Sequence, residues 1–342
     1  MKRILFVLLI YQFTFQLAAQ VQVASAYVCP PCGSDCDKEK HENPGVCKHC
    51  NMVLVREEAS KTIAFYLQDR VEVLDFAGPM EVFAYAGYKV FTVSKDKQPI
   101  KSQGILSVIP DYSIEDAPRA DILAFFGGNS SIVVNDDDVI EWIKNQDSIQ
   151  YHFSVCTGAF MLAEAGILDG HTATTFHSSL DGLESNYPKV DVRRDVRFVD
   201  NGKVITTAGI SAGIDGALHL VAKLQGLNAA KRTAYYMEYD NWVPGDGLIL
   251  SEDNPYLKEP KDLTDFVGRY EHYEKSDESL DLLIDNQELV AKEGKAAFPI
   301  YHEREDIFST VESAPIYFER NKKDQIVGYR LTPEGVVFKK LD

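Results

Sequence analysis

The chain has 342 residues, 45% hydrophobic and 25% charged, enough apolar content for a sizeable core and enough length for two or three units. Its formal net charge of −17 and pI near 4.9 argue against a nucleic-acid-binding surface and against attraction to anionic membranes. At the N-terminus, Lys2 and Arg3 precede an apolar run over 4–17, followed by small residues at Ala18-Ala19 and Ala24-Ser25-Ala26. This is the layout of a secretory signal peptide over 1–26, cleaved after Ala19 or Ala26; an uncleaved N-terminal anchor is the competing reading, which the shortness of the apolar run disfavours. The expected product is exported, periplasmic or secreted, with no membrane attachment after cleavage.

Five of the six cysteines fall within 27–57, as Cys29-x-x-Cys32, Cys36 and Cys47-x-x-Cys50. Two C-x-x-C pairs separated by 14 residues match the ligand spacing of a zinc ribbon. The reading is one structural Zn²⁺ on Cys29, Cys32, Cys47 and Cys50. The segment has too few apolar residues for its own core, so a metal would supply folding energy. An oxidising compartment makes disulfides the competing reading, although five cysteines leave one odd. Cys36, His41 and His49 are spare: they read first as turn residues and otherwise as alternative ligands. The pattern C-P-P-C … P-G-V-C-K-H-C-N-M also resembles a small heavy-metal-binding module of exported proteins, with Cys32 where that family often carries His.

After a charged linker at 56–60, strands and helices alternate. Strands are expected at 62–67, 90–93, 105–109, 121–126, 149–155 and 172–175, and helices at 75–86, 136–145, 178–186, 211–224 and 229–238. A hairpin at 193–199 and 203–207 turns on Asp200-Asn201-Gly202. Over 61–240 this predicts an α/β domain, a parallel sheet covered by helices on both faces. Sites on such sheets form beyond the carboxyl ends of the strands, where Asp75, Gly127-Gly128 and Cys156 should meet. A Pro-, Gly- and Asp-rich stretch at 241–263 reads as a linker. Residues 264–342 follow as strands at 267–273, 280–284, 288–292, 297–301, 316–320, 326–331 and 336–339, a small antiparallel β domain or barrel. This last unit resembles an accessory β domain found behind serine-hydrolase domains, and it carries no catalytic cluster.

Cys156 ends a buried strand and precedes Thr157-Gly158 and an apolar helix. That turn is how α/β folds present a nucleophile, and the helix N-terminus favours a thiolate. The plainer reading is a buried structural cysteine. Asp75 reads as a carboxylate beside the thiol or as a helix N-cap. His219, on an apolar helix, reads as a packed polar residue.

The stretches V-L-D-F-A-G-P-M-E-V-F, F-F-G-G-N, S-V-C-T-G-A-F-M-L-A-E-A-G-I-L-D-G-H-T-A-T-T and V-I-T-T-A-G-I-S-A-G-I-D-G-A-L-H-L resemble the DJ-1/PfpI superfamily of class I glutamine amidotransferase-like proteins, nearest its isocyanide-hydratase branch. The resemblance implies a flavodoxin-like sheet, Cys156 as nucleophile and Asp75 as general acid/base. It also implies an oxyanion hole from the N–H groups of Gly128 and Thr157, beside Gly127. His177 is a substrate contact at most. Thr157 stands where many proteases of the superfamily have His, which disfavours a Cys-His dyad. The implied activity is a hydratase or hydrolase of small isonitrile- or nitrile-like molecules, with no catalytic cofactor. The alternative is a binding or oxidative-stress-sensing protein with an exposed thiol of low pKa. The superfamily usually dimerises, so a homodimer is expected.

Overall fold

Three short strands tie the cysteine-rich segment together. β1 (Tyr27–Val28) pairs antiparallel with both β2 (Lys40–His41) and β3 (Val55–Arg56). The computed structural model describes residues 26–29, 34–57, 60–146, 148–257, 261–275, 277–285 and 287–341. Residues 1–25 of the expected signal peptide, and Cys32, lie outside the described residues.

The central region builds one eight-stranded sheet. In chain order come β4 (Thr62–Tyr66), α1 (Val73–Tyr85) and β5 (Lys89–Ser94). A hairpin of β6 (Ile100–Ser102) and β7 (Leu106–Val108) follows, then β8 (Tyr112–Ser113), β9 (Ile122–Phe125), α2 (Ser131–Val134) and α3 (Asp137–Lys144). β10 (Tyr151–Val155) leads into α4 (Ala159–Glu164). Next are β11 (Thr172–Ala173), α5 (Leu180–Asn186), β12 (Asp191–Val192), β13 (Phe198–Asp200) and β14 (Val204–Thr207). The helical pair α6 (Ala212–Gln225) and α7 (Leu227–Tyr236) closes the region, and β15 (Leu248–Ile249) comes after it.

Strand order is β15-β13-β14-β10-β9-β4-β5-β8, and the run from β14 to β8 is parallel throughout. Such a sheet is buried on both faces, which explains its continuous apolar strands. Along β4 the pleat sends Ile63 and Phe65 to one face, with Val82 and Phe83 of α1 and Leu218 and Val221 of α6. Ala64 and Tyr66 join the opposite face, with Val139 and Ile143 of α3 and Leu162 of α4.

Two expectations change. The strand placed at 105–109 is one arm of the β6/β7 hairpin and stands outside the main sheet. The stretch 241–263 does more than link, because β15 lies within it and pairs in parallel with β13 at the sheet edge. Just beyond β15, Ser251 and Asp253 reach a buried polar cluster. Asp200 Oδ2 lies 2.8 Å from His219 Nε2 and accepts from Lys223 Nζ at 3.0 Å and Ser251 Oγ at 2.9 Å. Lys223 also donates to Asp253 at 2.5 Å, and Tyr256 OH lies 3.0 Å from His219 Nδ1. Periodicity cannot reveal such a two-residue strand; a buried Asp–Lys pair fixes it in place. His219 is, as expected, a packed polar residue.

The C-terminal region is an antiparallel sheet whose eight strands pair in chain order. They are β16 (Gly268–Glu271), β17 (Ser279–Asp285), β18 (Glu288–Glu293), β19 (Ala296–Arg304), β20 (Ile307–Ser309), β21 (Pro315–Arg320), β22 (Ile326–Arg330) and β23 (Phe338–Lys339). A Tyr270–Lys340 bridge and the Leu341 N–H to Arg269 carbonyl bond at 2.7 Å draw the last strand to the first, giving a nearly barrel-like form. Phe266, Phe308, Phe318, Tyr270 and Tyr329 fill its core. The sequence reading omitted β20, a three-residue strand directly after a turn.

Candidate functional site

Four connections leave the carboxyl ends of adjacent parallel strands and meet at one point. β10 ends at Val155, and Cys156 takes φ 59°, a left-handed conformation that a non-glycine residue holds only when its surroundings fix it. Those surroundings are explicit. The Cys156 N–H donates to the Ala208 carbonyl at 3.0 Å, and Thr175 Oγ1 donates to the Cys156 carbonyl at 2.6 Å. A 3-10 turn, Cys156–Gly158, then runs into α4.

Asp75 lies in the first turn of α1 and is fully buried. The N-cap position belongs to Glu72, so Asp75 does not cap the helix. Its Oδ2 accepts the Gly127 N–H at 2.8 Å after β9, and its Oδ1 accepts the Ile210 N–H at 3.1 Å after β14. The Cys156 thiol stands beside the same carboxylate: a Cβ at Gly127 would touch Asp75 Oδ2 and Cys156 Sγ alike, and the two groups shift each other's titration.

Glycine is required at 127 by space. A Cβ there would sit 2.7 Å from Asp75 Oδ2 and 2.7 Å from Cys156 Sγ. At Gly128, φ is +100° and a Cβ would lie 2.1 Å from the Arg70 carbonyl oxygen. Thr157 Oγ1 donates to the Gly128 carbonyl at 3.3 Å and so spans the two loops.

Burial pushes the Asp75 carboxyl up to about 6, against the pull of the Gly127 N–H. Burial, then the Asp75 charge, pushes the Cys156 thiol up, while the Thr157 N–H works in the opposite sense. Near neutral pH the proton therefore rests on sulfur, beside an ionised carboxylate. The expected exposed thiol of low pKa is not what forms: Cys156 is 6% exposed, and desolvation outweighs the helix-end effect.

Cys156, Asp75, Gly127, Gly128 and Thr157 are thus brought together. His177 is exposed in a 3-10 turn, its ring tilted 49° against Phe176 at 4.2 Å, and no hydrogen bond ties it to the pair. Sequence reasoning missed Ile210, Thr175 and Phe176. The Phe176 ring occupies the space a side chain at Gly209 would need, 2.3 Å from its Cβ position. The apolar-to-small transition T-T-A-G-I was the available signal for this loop.

In the N-terminal segment, the ligand atoms of Cys29, Cys36, Cys47 and Cys50 all lie within 4.8 Å of one another. Cys29 Sγ is 3.2 Å from Cys50 Sγ and 3.8 Å from Cys36 Sγ. None of the described cysteines is in a disulfide. Tetrahedral thiolates at about 2.3 Å from one ion stand roughly 3.8 Å apart, so the four sulfurs fit a metal. Cys36, read first as a spare turn residue and otherwise as an alternative ligand, is a member of this set. His41 and His49 are not, and His49 instead faces Glu39 at 3.5 Å. Burial opposes ionisation of Cys47, yet the Cys50 and His49 N–H groups aimed at its sulfur bring it down to about 7. Cys29 moves up, through burial and its neighbouring sulfurs.

Residues 61–223 match the DJ-1/PfpI family. The chain is 34% identical over 187 residues to an isonitrile hydratase of Pseudomonas putida, covering 54% of this chain and 81% of the hydratase. It is 28% identical over 174 residues to the HTH-type transcriptional regulator CdhR of Pseudomonas aeruginosa, covering 49% of this chain and 52% of the regulator. Among solved structures, a ThiJ/PfpI family protein from Pseudomonas syringae aligns with a TM-score of 0.50 and 28% identity, over 54% of this chain and 77% of that one. With a cysteine elbow at the carboxyl edge of a parallel sheet and four fifths of the hydratase spanned, the chain belongs to the DJ-1/PfpI family.

Proposed function

We propose that the protein is a cysteine-dependent hydratase or hydrolase of small electrophiles, with isonitriles as the leading substrate class. The observation that carries this reading is the buried Asp75 carboxylate beside the Cys156 thiol, with both of its oxygens held by backbone N–H groups. The thiol proton moves to Asp75 as sulfur bonds to the terminal isonitrile carbon. Asp75 returns that proton to the carbon, leaving a thioimidate on Cys156. Water adds to the thioimidate carbon, the C–S bond breaks, and an N-substituted formamide leaves as the thiol reforms. The N–H groups of Gly128 and Thr157 are assigned to the negative charge that develops beside the sulfur. Likeness to the Pseudomonas putida isonitrile hydratase supports the substrate class.

The regulator reading has less support. Beyond the family region this chain continues into an antiparallel β-sheet, and its charge is strongly acidic. A sensor reading requires easy oxidation, which the raised thiol of Cys156 opposes. We further assign export, directed by residues 1–26, and a homodimeric assembly, the latter on the family resemblance alone. Zn²⁺ is assigned to the Cys29/Cys36/Cys47/Cys50 cluster as a structural ion, closed to substrate by four sulfur ligands.

Purified protein incubated with an isonitrile panel should yield N-formamides, and Cys156→Ala should not. Formamide production by Cys156→Ala at the wild-type rate would remove Cys156 from the chemistry.

A further inference from the structure

A cavity of about 680 Å³ opens where the three parts of the chain meet, and no residue of the Cys156 site lines it. Tyr27 and Arg56 come from the cysteine-rich segment, Asn228 and Arg232 from α7, and Tyr301 and Phe308 from the C-terminal sheet. Direct bonds hold these walls together. Arg56 Nη2 donates to the Gln225 carbonyl at 2.7 Å, and Asn228 Nδ2 donates to the His302 carbonyl at 2.9 Å. The volume falls within the roughly 300–1,000 Å³ of small-molecule sites.

The charges on its wall do not cancel. Lys231 pairs with Glu288 at 2.6 Å, and Arg232 with Glu303 at 2.7 Å. Arg56 and Lys261 also line the cavity, and among the described residues neither has a carboxylate within ion-pairing distance. Lys261 Nζ instead meets His302 Nε2 at 2.9 Å and lies over the Phe266 and Phe308 rings at 5.2 and 5.9 Å. Burial leaves its ammonium below the ordinary lysine range; the Asp306, Glu305 and Asp265 charges pull the other way, and the Arg320 charge adds to the drop. A chain of net charge −17 thus places around one cavity two cations that, among the described residues, form no direct ion pair, beside the rings of Tyr27, Tyr256, Tyr301 and Phe308.

We infer that this cavity binds a small organic dianion with a flat, unsaturated body, its charges facing Arg56 and Lys261 and its body against the aromatic wall. Guanidinium and ammonium groups in a partly water-excluded setting form charge-assisted hydrogen bonds with such groups, and the rings exclude solvent from the remainder. Because residues from all three parts line the cavity, occupancy couples them and stabilises the folded chain by mass action. This inference does not depend on the chemistry at Cys156.

The probe is 1-naphthyl phosphate, largely dianionic at about pH 7.5, titrated calorimetrically into the full exported chain, with 1-naphthol as its uncharged counterpart. Expected are one site per chain, a raised Tm, and naphthol weaker by at least about tenfold. Lys261→Gln and Arg56→Gln should each weaken the phosphate by about tenfold, the loss of one charge-assisted contact. Lys261→Gln keeps the Arg56–Gln225 bond and therefore tests the site even if Arg56→Gln loosens the fold. Cys156→Ala should bind as wild type does. The inference fails if about 1 mM probe gives neither heat nor a Tm shift. It fails equally if Lys261→Gln binds unchanged, if naphthol binds as tightly, or if Cys156→Ala abolishes binding.

Discussion

The Gly127 N–H donates to Asp75 Oδ2 at 2.8 Å, while the space its missing side chain leaves open is bounded by that oxygen and by Cys156 Sγ. One backbone position thus orients the carboxylate and admits the thiol to it. Gly127→Ala places a methyl 2.7 Å from both partners. The variant should lose about 1–3 kcal/mol of stability, by urea titration, and nearly all turnover. A fully active, equally stable Gly127→Ala would show that the pairing is incidental.

Asp75 holds its neighbour's proton in place as well as accepting it. Its charge raises the Cys156 thiol, so Asp75→Asn should lower that thiol and speed iodoacetamide alkylation at about pH 8, by on the order of tenfold. Turnover should fall in the same variant. Slower alkylation of Asp75→Asn, followed by peptide mass spectrometry, would mean that the carboxylate activates the resting thiol instead.

Protonation of Asp75 also couples to folding. Its carboxyl is raised from an ordinary 3.8 to about 6, so the fold favours the protonated form. That stability is fully present below about pH 3.8 and is lost as pH rises through about 6, on the order of 3 kcal/mol by neutrality. Urea titrations at about pH 4 and pH 8 should show wild type losing stability relative to Asp75→Ala by this order. A pH-independent gap between the two proteins would contradict the assigned cause.

Metal content tests the sulfur cluster. Purified protein should carry one zinc per chain, and Cys36→Ser should lower it sharply, because Cys36 Sγ is 3.8 Å from Cys29 Sγ within the four-sulfur group. Elemental analysis beside free-thiol counting reads both, and full zinc occupancy in Cys36→Ser would overturn the assignment.

The buried Asp200–Lys223 contact secures the edge strand β15. Lys223→Met leaves Asp200 without its ammonium partner and should cost about 3–5 kcal/mol. Limited proteolysis should then cut within 241–257 more readily than in wild type. Unchanged stability and cleavage would reduce the cluster to a surface arrangement.

The elbow was legible because its signals are local: an apolar strand, one cysteine, then small residues opening a helix. Asp75 was legible for the same reason, as an acid following a strand, although its N-cap reading fails because the helix starts at Val73. Cys36 was legible only as an alternative ligand. Spacing rules put Cys32 first, and no local pattern encodes the 3-10 turn Asp35–Lys38 that carries Cys36 toward Cys29. The burial of the Cys156 thiol, the edge strand β15 and the cavity between the three parts all depend on residues distant in sequence. For such features the order of residues offers composition but no geometry.

The central claim is that Asp75 and Cys156 act as one proton-sharing unit, and the pH profile of isonitrile hydration tests it most directly. Initial rates between about pH 5 and pH 8 should rise through about 6 in the wild type as Asp75 ionises, and should lie at background in Asp75→Asn and Cys156→Ala. A wild-type rate that is flat through this range, or turnover retained by Cys156→Ala, would contradict the account.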